Sequence, residues 1–379
     1  MSRCASSPFL NPRRVWRASA VFSALLLMAL EAAGDPLYSV ENLGSLGSGM
    51  SMTAAINSSG VAVGFTISPQ GNQTPEVFSG QAQALPGTGE ATGINSAGTI
   101  VGTTYANGGQ SVTEWSNGQA TNLGISGWAT GINNAGQVTG EMLTAGGQGH
   151  AFLWSNGALV DLGTLPGGTG SVGSGINSSG QVVGTSQANG ISTAVVSNGN
   201  GLTKVAGGLG GANSYGMGIN DGGVVVGSAQ TGSGYLHAFE SSANGMIDLG
   251  TLGGSSSSAY GINDAGTVVG YSFLAGNETT HAFAYLGGVL VDLNTFLPAS
   301  SGWIIGAAYA INNSGDILGI GTLNNQTYAV ELVPSVTGLG ITANDPAPVP
   351  EPQPLILAGI GLVGISILAA RRAKSKLAR

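Results

Sequence analysis

The chain of 379 residues contains 67 glycines and only 7% charged residues, far from the composition of an average globular domain. Between Asp35 and Pro350, sixteen acids face the single cation Lys204, a formal charge of −15. Such a surface repels phosphate backbones and anionic lipid, which argues against nucleic-acid binding and peripheral membrane attachment.

At the N-terminus, Arg3, Arg13, Arg14 and Arg17 precede an apolar run from Ala18 to Leu30 and the small residues Ala32-Ala33-Gly34. Residues 1–34 therefore predict a secretory signal peptide cleaved near Gly34. The apolar run of 13 residues is too short to cross a hydrocarbon core, which needs about 20 helical residues. The one cysteine, Cys4, leaves with this leader, so the exported part has no disulfide and no thiolate chemistry.

Residues 35–340 are organised by a repeat. Its clearest copy runs Ala259-Tyr260-Gly261-Ile262-Asn263-Asp264-Ala265-Gly266-Thr267-Val268-Val269-Gly270-Tyr271-Ser272. The Ile-Asn pair recurs with Asn57, Asn95, Asn133, Asn177, Asn220, Asn263 and Asn312, at intervals of 38, 38, 44, 43, 43 and 49 residues. A second block, His-Ala-Phe, begins at His150, His237 and His281. A third, Asp-Leu-Gly-Thr-Leu, begins at Asp161 and Asp248 and survives in altered form at Asp292.

Each period predicts four short strands separated by Gly, Asn, Ser and Asp clusters. In the clearest copy these are Ala259–Asn263, Thr267–Ser272, His281–Leu286 and Val289–Leu293. The turn Asn263-Asp264-Ala265-Gly266 suits a tight hairpin, because Asn caps its own backbone and Gly supplies a positive φ. The seven asparagines are accordingly expected to be turn formers.

Four antiparallel strands in about 43 residues is the size of a propeller blade. The segment Leu37 to Leu46 resembles a lone fourth strand, and the last repeat, from Ala310, ends after a third strand at Thr327–Val333. Together these complementary ends predict a seven-bladed ring closed by the N-terminal strand, with no open sheet edge. An open β-solenoid is the alternative, but gives no reason for complementary partial repeats at the two ends. The aromatics Phe78, Trp115, Trp154, Phe239, Tyr285 and Tyr328 fall at matching places in the third strands and are expected to pack between blades.

After the repeats come a Pro-rich linker over residues 341–354, an apolar segment over 355–370 that predicts a transmembrane helix, and a basic tail over 371–379. By the positive-inside rule the tail stays cytoplasmic, so membrane contact is expected only through this segment. Val349, Pro350, Glu351 and Pro352, with Arg371 and Arg372 beyond the apolar stretch, make this end resemble the PEP-CTERM sorting signal of Gram-negative bacteria. The resemblance implies recognition by an exosortase-type processing enzyme, cleavage near Pro-Glu-Pro, and delivery to the cell exterior after transient inner-membrane anchoring. An ordinary single-span anchor is the alternative.

The repeats themselves resemble the HAF family of extracellular repeats, named for the tripeptide that begins here at His150, His237 and His281. The likeness covers residues 37 to about 333 and is best between 129 and 295. It implies extracellular location and repeat architecture, but no established activity. Four of the seven repeats lack the tripeptide, so no role requiring seven histidines is available.

Catalysis needs convergent titratable groups, and this region has three histidines, one lysine and no cysteine. His150, His237 and His281 are repeat equivalents, so a ring spreads them among blades. Strand-end hydrogen bonding is expected of them rather than metal binding, and turn or cap roles of Asp161, Asp248 and Asp292. One carboxylate per hairpin turn, at Asp221, Asp264 and Asp316, is too few for a calcium loop. No cofactor and no catalytic residue is therefore assigned. The expected function is a non-catalytic structural or binding module of the cell surface or exopolysaccharide matrix, with extracellular polysaccharide as a possible partner. A carbohydrate-binding or carbohydrate-active propeller is the alternative.

Overall fold

The computed structural model describes residues 37–335 apart from 45–48, 80–81 and 107. The predicted signal peptide, the Val349–Pro352 motif, the apolar segment and Arg371 and Arg372 lie outside the described residues. Among the described residues no helix is long and apolar enough to cross a membrane.

The chain folds as an all-β propeller. After β1 (Tyr38–Asn42), repeat one supplies β2 (Met50–Ile56), β3 (Ala62–Ile67), β4 (Gln73–Phe78) and β5 (Ala82–Ala84). Repeat two supplies β6 (Gly89–Ile94), β7 (Ile100–Ala106), β8 (Gly109–Ser116) and the start of β9 (Gln119–Ile132). Repeat three continues β9 into β10 (Val138–Leu143), β11 (Gly149–Ser155) and β12 (Ala158–Gly163). Repeat four holds β13 (Gly168–Ile176), β14 (Val182–Ala188), β15 (Ile191–Ser197) and β16 (Thr203–Lys204). Repeat five holds β17 (Gly210–Ile219), β18 (Val225–Thr231), β19 (Leu236–Ser242) and β20 (Gly245–Gly250). Repeat six holds β21 (Gly253–Ile262), β22 (Val268–Leu274), β23 (Thr280–Leu286) and β24 (Val289–Asp292). A 3₁₀ turn at Leu293–Phe296 leads to β25 (Ile304–Ile311), β26 (Ile317–Leu323) and β27 (Gln326–Pro334).

Five of the sheets have four antiparallel strands each. In the last of them β1 pairs with β27, Tyr38 opposite Pro334 and Asn42 opposite Val330, so the first strand of the chain completes the sheet of the last repeat. The expectation of a separate sheet for every repeat is corrected at repeats two and three, which share one seven-stranded sheet through the 14-residue β9. Repeat one, with the same interval of 38 residues, still breaks between Ala84 and Gly89, whereas repeat two runs on as one strand. That strand turns at Gly124 and Gly127, both at positive φ (77° and 147°).

The hairpin after each inner strand has the predicted form. In the clearest copy the strand ends at Ile262, one residue earlier than the sequence suggests, Asn263 opens the turn, and Gly266 has φ 81°. A less expected constraint lies opposite. A Cβ added at Gly64, Gly102, Gly140, Gly184, Gly227, Gly270 or Gly319 would lie 1.9–2.2 Å from a carbonyl oxygen of the inner strand. The Gly at the third position of each repeat's second strand, Val-Val-Gly in three of the seven, is therefore required by backbone approach, not by turn geometry. Gly140→Ala, which brings its Cβ to 2.0 Å from the Trp128 carbonyl, is expected to cost about 3 kcal/mol or more. A loss under about 1 kcal/mol in denaturant unfolding would contradict this account.

The core lies between sheets, in clusters such as Val226, Ala238, Leu249, Ala259, Val268 and Phe283 from repeats five and six. The aromatic alignment needs correction. Phe78, Trp115, Trp154 and Tyr285 do share a register, opposite Ala62, Ile100, Val138 and Val268. Phe239 instead sits opposite Gly227, in register with Phe152 and Phe283, and Tyr328 sits opposite Gly321. Even-numbered offsets along a strand keep a side chain on the same face, so periodicity alone does not separate these registers.

Candidate functional site

The seven asparagines do more than form turns. In each, Oδ1 accepts from backbone amides of its own turn; for Asn133 these are Ala135 N at 3.1 Å and Gln137 N at 2.9 Å. The Nδ2 group donates across to the carbonyl of the next repeat's asparagine: Asn57 to Asn95, Asn95 to Asn133, Asn133 to Asn177, Asn177 to Asn220, Asn220 to Asn263, and Asn263 to Asn312. Asn312 donates back to Asn57 at 3.0 Å, so the hydrogen bonds form a closed circle. All seven side chains are buried. Buried amides of this kind are structural, because their donors and acceptors are already spent.

The three histidines are also accounted for within their own repeats. Nδ1 of His150 lies 2.9 Å from the Asp161 carboxylate, that of His237 2.9 Å from Asp248, and that of His281 2.6 Å from Asp292. The same aspartates accept from the amides of Gly163, Gly250 and Asn294 two residues on. The second and third sequence blocks are thus two halves of one contact joining the third and fourth strands. The pairs belong to separate sheets. In repeat three, Glu141 adds a third group: burial raises its carboxyl above the usual range, opposed by His150. Among the described residues no group of three or more His, Asp or Glu is arranged to hold a metal.

A second feature converges on the ring's centre. Every inner strand carries a β-bulge that leaves one residue out of register: Ala54, Thr92, Thr130, Ser174, Met217, Tyr260 and Tyr309. Bulges re-aim side chains, and all seven of these residues line one cavity of about 490 Å³. The Gly or Ala that follows each bulge also lines it, and none of the lining residues is charged. A Cβ at Gly93 would come within 3.1 Å of the Gly131 backbone, and one at Gly261 within 3.2 Å of Ala310, which explains the small residue of Gly-Ile-Asn.

The cavity wall is uneven. Tyr260 lies 5.4 Å from Tyr309 and 5.9 Å from Tyr271, ring centre to ring centre. Burial, with Tyr271 and Tyr309 close by, pushes the Tyr260 phenol up to about 12, so it stays protonated and serves only as a hydrogen-bonding group at neutral pH. Thr92 and Thr130 donate to the carbonyls of Ala129 (2.8 Å) and Gly173 (2.7 Å) in the next inner strand.

The two faces of the ring differ as well. The Asn-turn face carries the exposed Asp221, Asp264 and Asn313, whose side chains bond the neighbouring turn at Ser178, Asp221 and Asp264 respectively. At the opposite ends of the strands lie the exposed Met50, Tyr105, Leu143, Ile191, Tyr235 and Ile304, each 39–53% accessible.

No family model matches the chain, and no curated protein is similar to it. Among solved structures it is similar to the WD40 β-propeller domain of Doa1, with 11% identity over 79% of this chain and 99% of that one, at a TM-score of 0.43. It is similar also to the BP39L lectin of Burkholderia pseudomallei, with 8% identity over 78% and 98%, at 0.40. TolB of Acinetobacter baumannii is 14% identical over 52% of this chain and 55% of its own, at 0.38. The chain thus spans about half the length of TolB.

Proposed function

We propose that the chain is a non-catalytic binding module of the bacterial cell surface or exopolysaccharide matrix, built as a ring of seven blades in which β9 joins the second to the third. The seven-membered asparagine circle supports that blade count. One observation carries the functional reading: among the described residues, six of the nine exposed large apolar side chains stand at the strand ends of a single face, while the three His–Asp pairs lie on three separate sheets. A face that gathers most of the exposed apolar side chains supports a contact role. The uncharged central cavity favours a carbohydrate as the ligand.

The HAF resemblance and the PEP-CTERM-like end support an exported, exosortase-processed protein. Purified full-length protein is expected to bind envelope polysaccharide without altering it. Hydrolase or lyase turnover on extracellular glycans, abolished by a single carboxylate change such as Asp161→Asn, would overturn the reading. The intact mass of the mature protein tests processing: the expected chain begins near Asp35 and ends near Pro352.

A further inference from the structure

The asparagine circle, the His–Asp pairs and the second-strand glycines are each explained by packing or hydrogen bonding within the fold. The seven bulge residues make such contacts too, at Thr92, Thr130 and Tyr260, but these do not explain why the side chain differs from repeat to repeat. Positions equivalent by register would be uniform if they only packed, as the asparagines are, yet they fall into two unlike groups. Repeats two to four present Thr92, Thr130 and Ser174, repeats five to seven present Met217, Tyr260 and Tyr309, and Ala54 of repeat one, between the two groups, belongs to neither. In a closed ring these are opposite arcs.

We infer that the central cavity is a binding site for a neutral pyranose unit, stacked against Tyr309 and Tyr260 with its hydroxyls toward Thr92, Thr130 and Ser174. This deepens the binding-module reading and rests on it.

The chemistry of the two arcs selects the ligand class. A pyranose has an apolar C–H face suited to aromatic rings and an equatorial rim of hydroxyls. The protons of Thr92 and Thr130 are committed to Ala129 and Gly173, so these hydroxyls offer lone pairs to a donating ligand. Ser174 has no hydrogen-bond partner among the described residues and can both donate and accept. A purely apolar ligand would leave this arc unpaired on desolvation. An anionic sugar would find no cation in the wall, since Lys204, the one cation of the described residues, is not among the lining residues. The volume of about 490 Å³ lies within the ordinary range of small-ligand sites.

Calorimetric titration of the full-length protein with neutral pyranosides and their short oligomers, glucose, galactose, mannose and N-acetylglucosamine included, tests the site. Saturable binding is expected, weakened about tenfold or more by Tyr309→Ala and largely retained in Tyr309→Phe, which keeps the ring. Leu159→Ala, on the exposed strand β12 and outside both the cavity and the apolar face, is expected to leave the affinity unchanged. Should Tyr309→Ala not fold, Ser174→Ala, which removes one hydroxyl and adds no volume, is expected to weaken binding in its place. Saccharide binding that is indifferent to Tyr309, Tyr260 and Ser174 in folded variants would overturn the cavity assignment and leave the binding-module reading standing. Binding of charged glycans with none of neutral ones would overturn the ligand class. Absence of binding to any glycan or envelope fraction would overturn both.

Discussion

Deleting residues 37–43 is expected to destroy cooperative folding. This segment supplies β1, which covers the free edge of β27, and it carries Leu37, Tyr38 and Val40 into the core of the last repeat and Leu43 into that of the first. Four apolar side chains leaving water contribute roughly 5–10 kcal/mol, comparable to the whole stability of a typical domain. The deletion also exposes a row of unpaired amides and carbonyls on a long edge strand, which invites aggregation. A circular permutant separates the loss of the strand from the loss of its position. The Ser335 amide donates to the Leu37 carbonyl at 2.7 Å, so the two ends of the described residues already lie side by side. A permutant beginning at Gly49, with residues 37–43 joined after Ser335 through an Asn-Gly hairpin, is expected to melt cooperatively near the temperature of the parent. A deletion variant as stable as the parent would show that the first strand does not hold the ring shut.

The pairing of β1 with β27 was legible in the sequence because the first segment is a displaced copy of a repeated block, and repetition is the strongest signal this chain carries. The turns were legible for the same reason: Asn at the first position and Gly at the fourth recur seven times. What repetition conceals is any relation between copies. The asparagines read as turn formers, which they are, but the bond from each Nδ2 to the next repeat exists only once the repeats are wound into a circle. The His–Asp contact does carry a sequence signal, since His150 and Asp161, His237 and Asp248, and His281 and Asp292 are each 11 residues apart. Two blocks kept at one spacing across a hairpin are two sides of one contact. The cavity was hidden by the opposite effect, because the bulge residues are the variable positions beside an invariant Ile-Asn. In repeat one, Glu76 takes the place that Phe152, Phe239 and Phe283 fill elsewhere, a substitution visible only when strand registers are known.

The acids misplaced by a hydrophobic repeat make stability fall as pH rises. Glu331 on β27 is 7% exposed, stands directly opposite Glu41 on β1, and faces Asp316 from the turn that opens β26. Tyr38 on β1 is half-buried beside Asp316 and stays protonated, and Leu318 on β26 flanks Glu331 on its other side. No Lys or Arg is near, for Lys204 on β16 is the one cation among the described residues. Burial first, then Asp316 and Glu41, push the Glu331 carboxyl from its ordinary 4.5 up to about 7. Glu76, with its Oε2 buried and unpartnered, is raised by burial as well, against hydrogen bonds from Ser51 and Thr66 that lower it. A carboxyl whose value rises on folding contributes its full stability below about 4.5, where both states are protonated, and loses it as pH climbs through the folded value near 7. For Glu331 the loss is on the order of 2 kcal/mol after allowance for solvent screening, a few degrees of melting temperature. The melting temperature is therefore expected to decline between pH 5 and pH 8, and Glu331→Gln, which cannot ionise, is expected to flatten that decline and to melt higher than the parent at pH 8. A parent whose melting temperature holds level or climbs over that range would mean that the closing strand does not meet an ionising carboxylate at all.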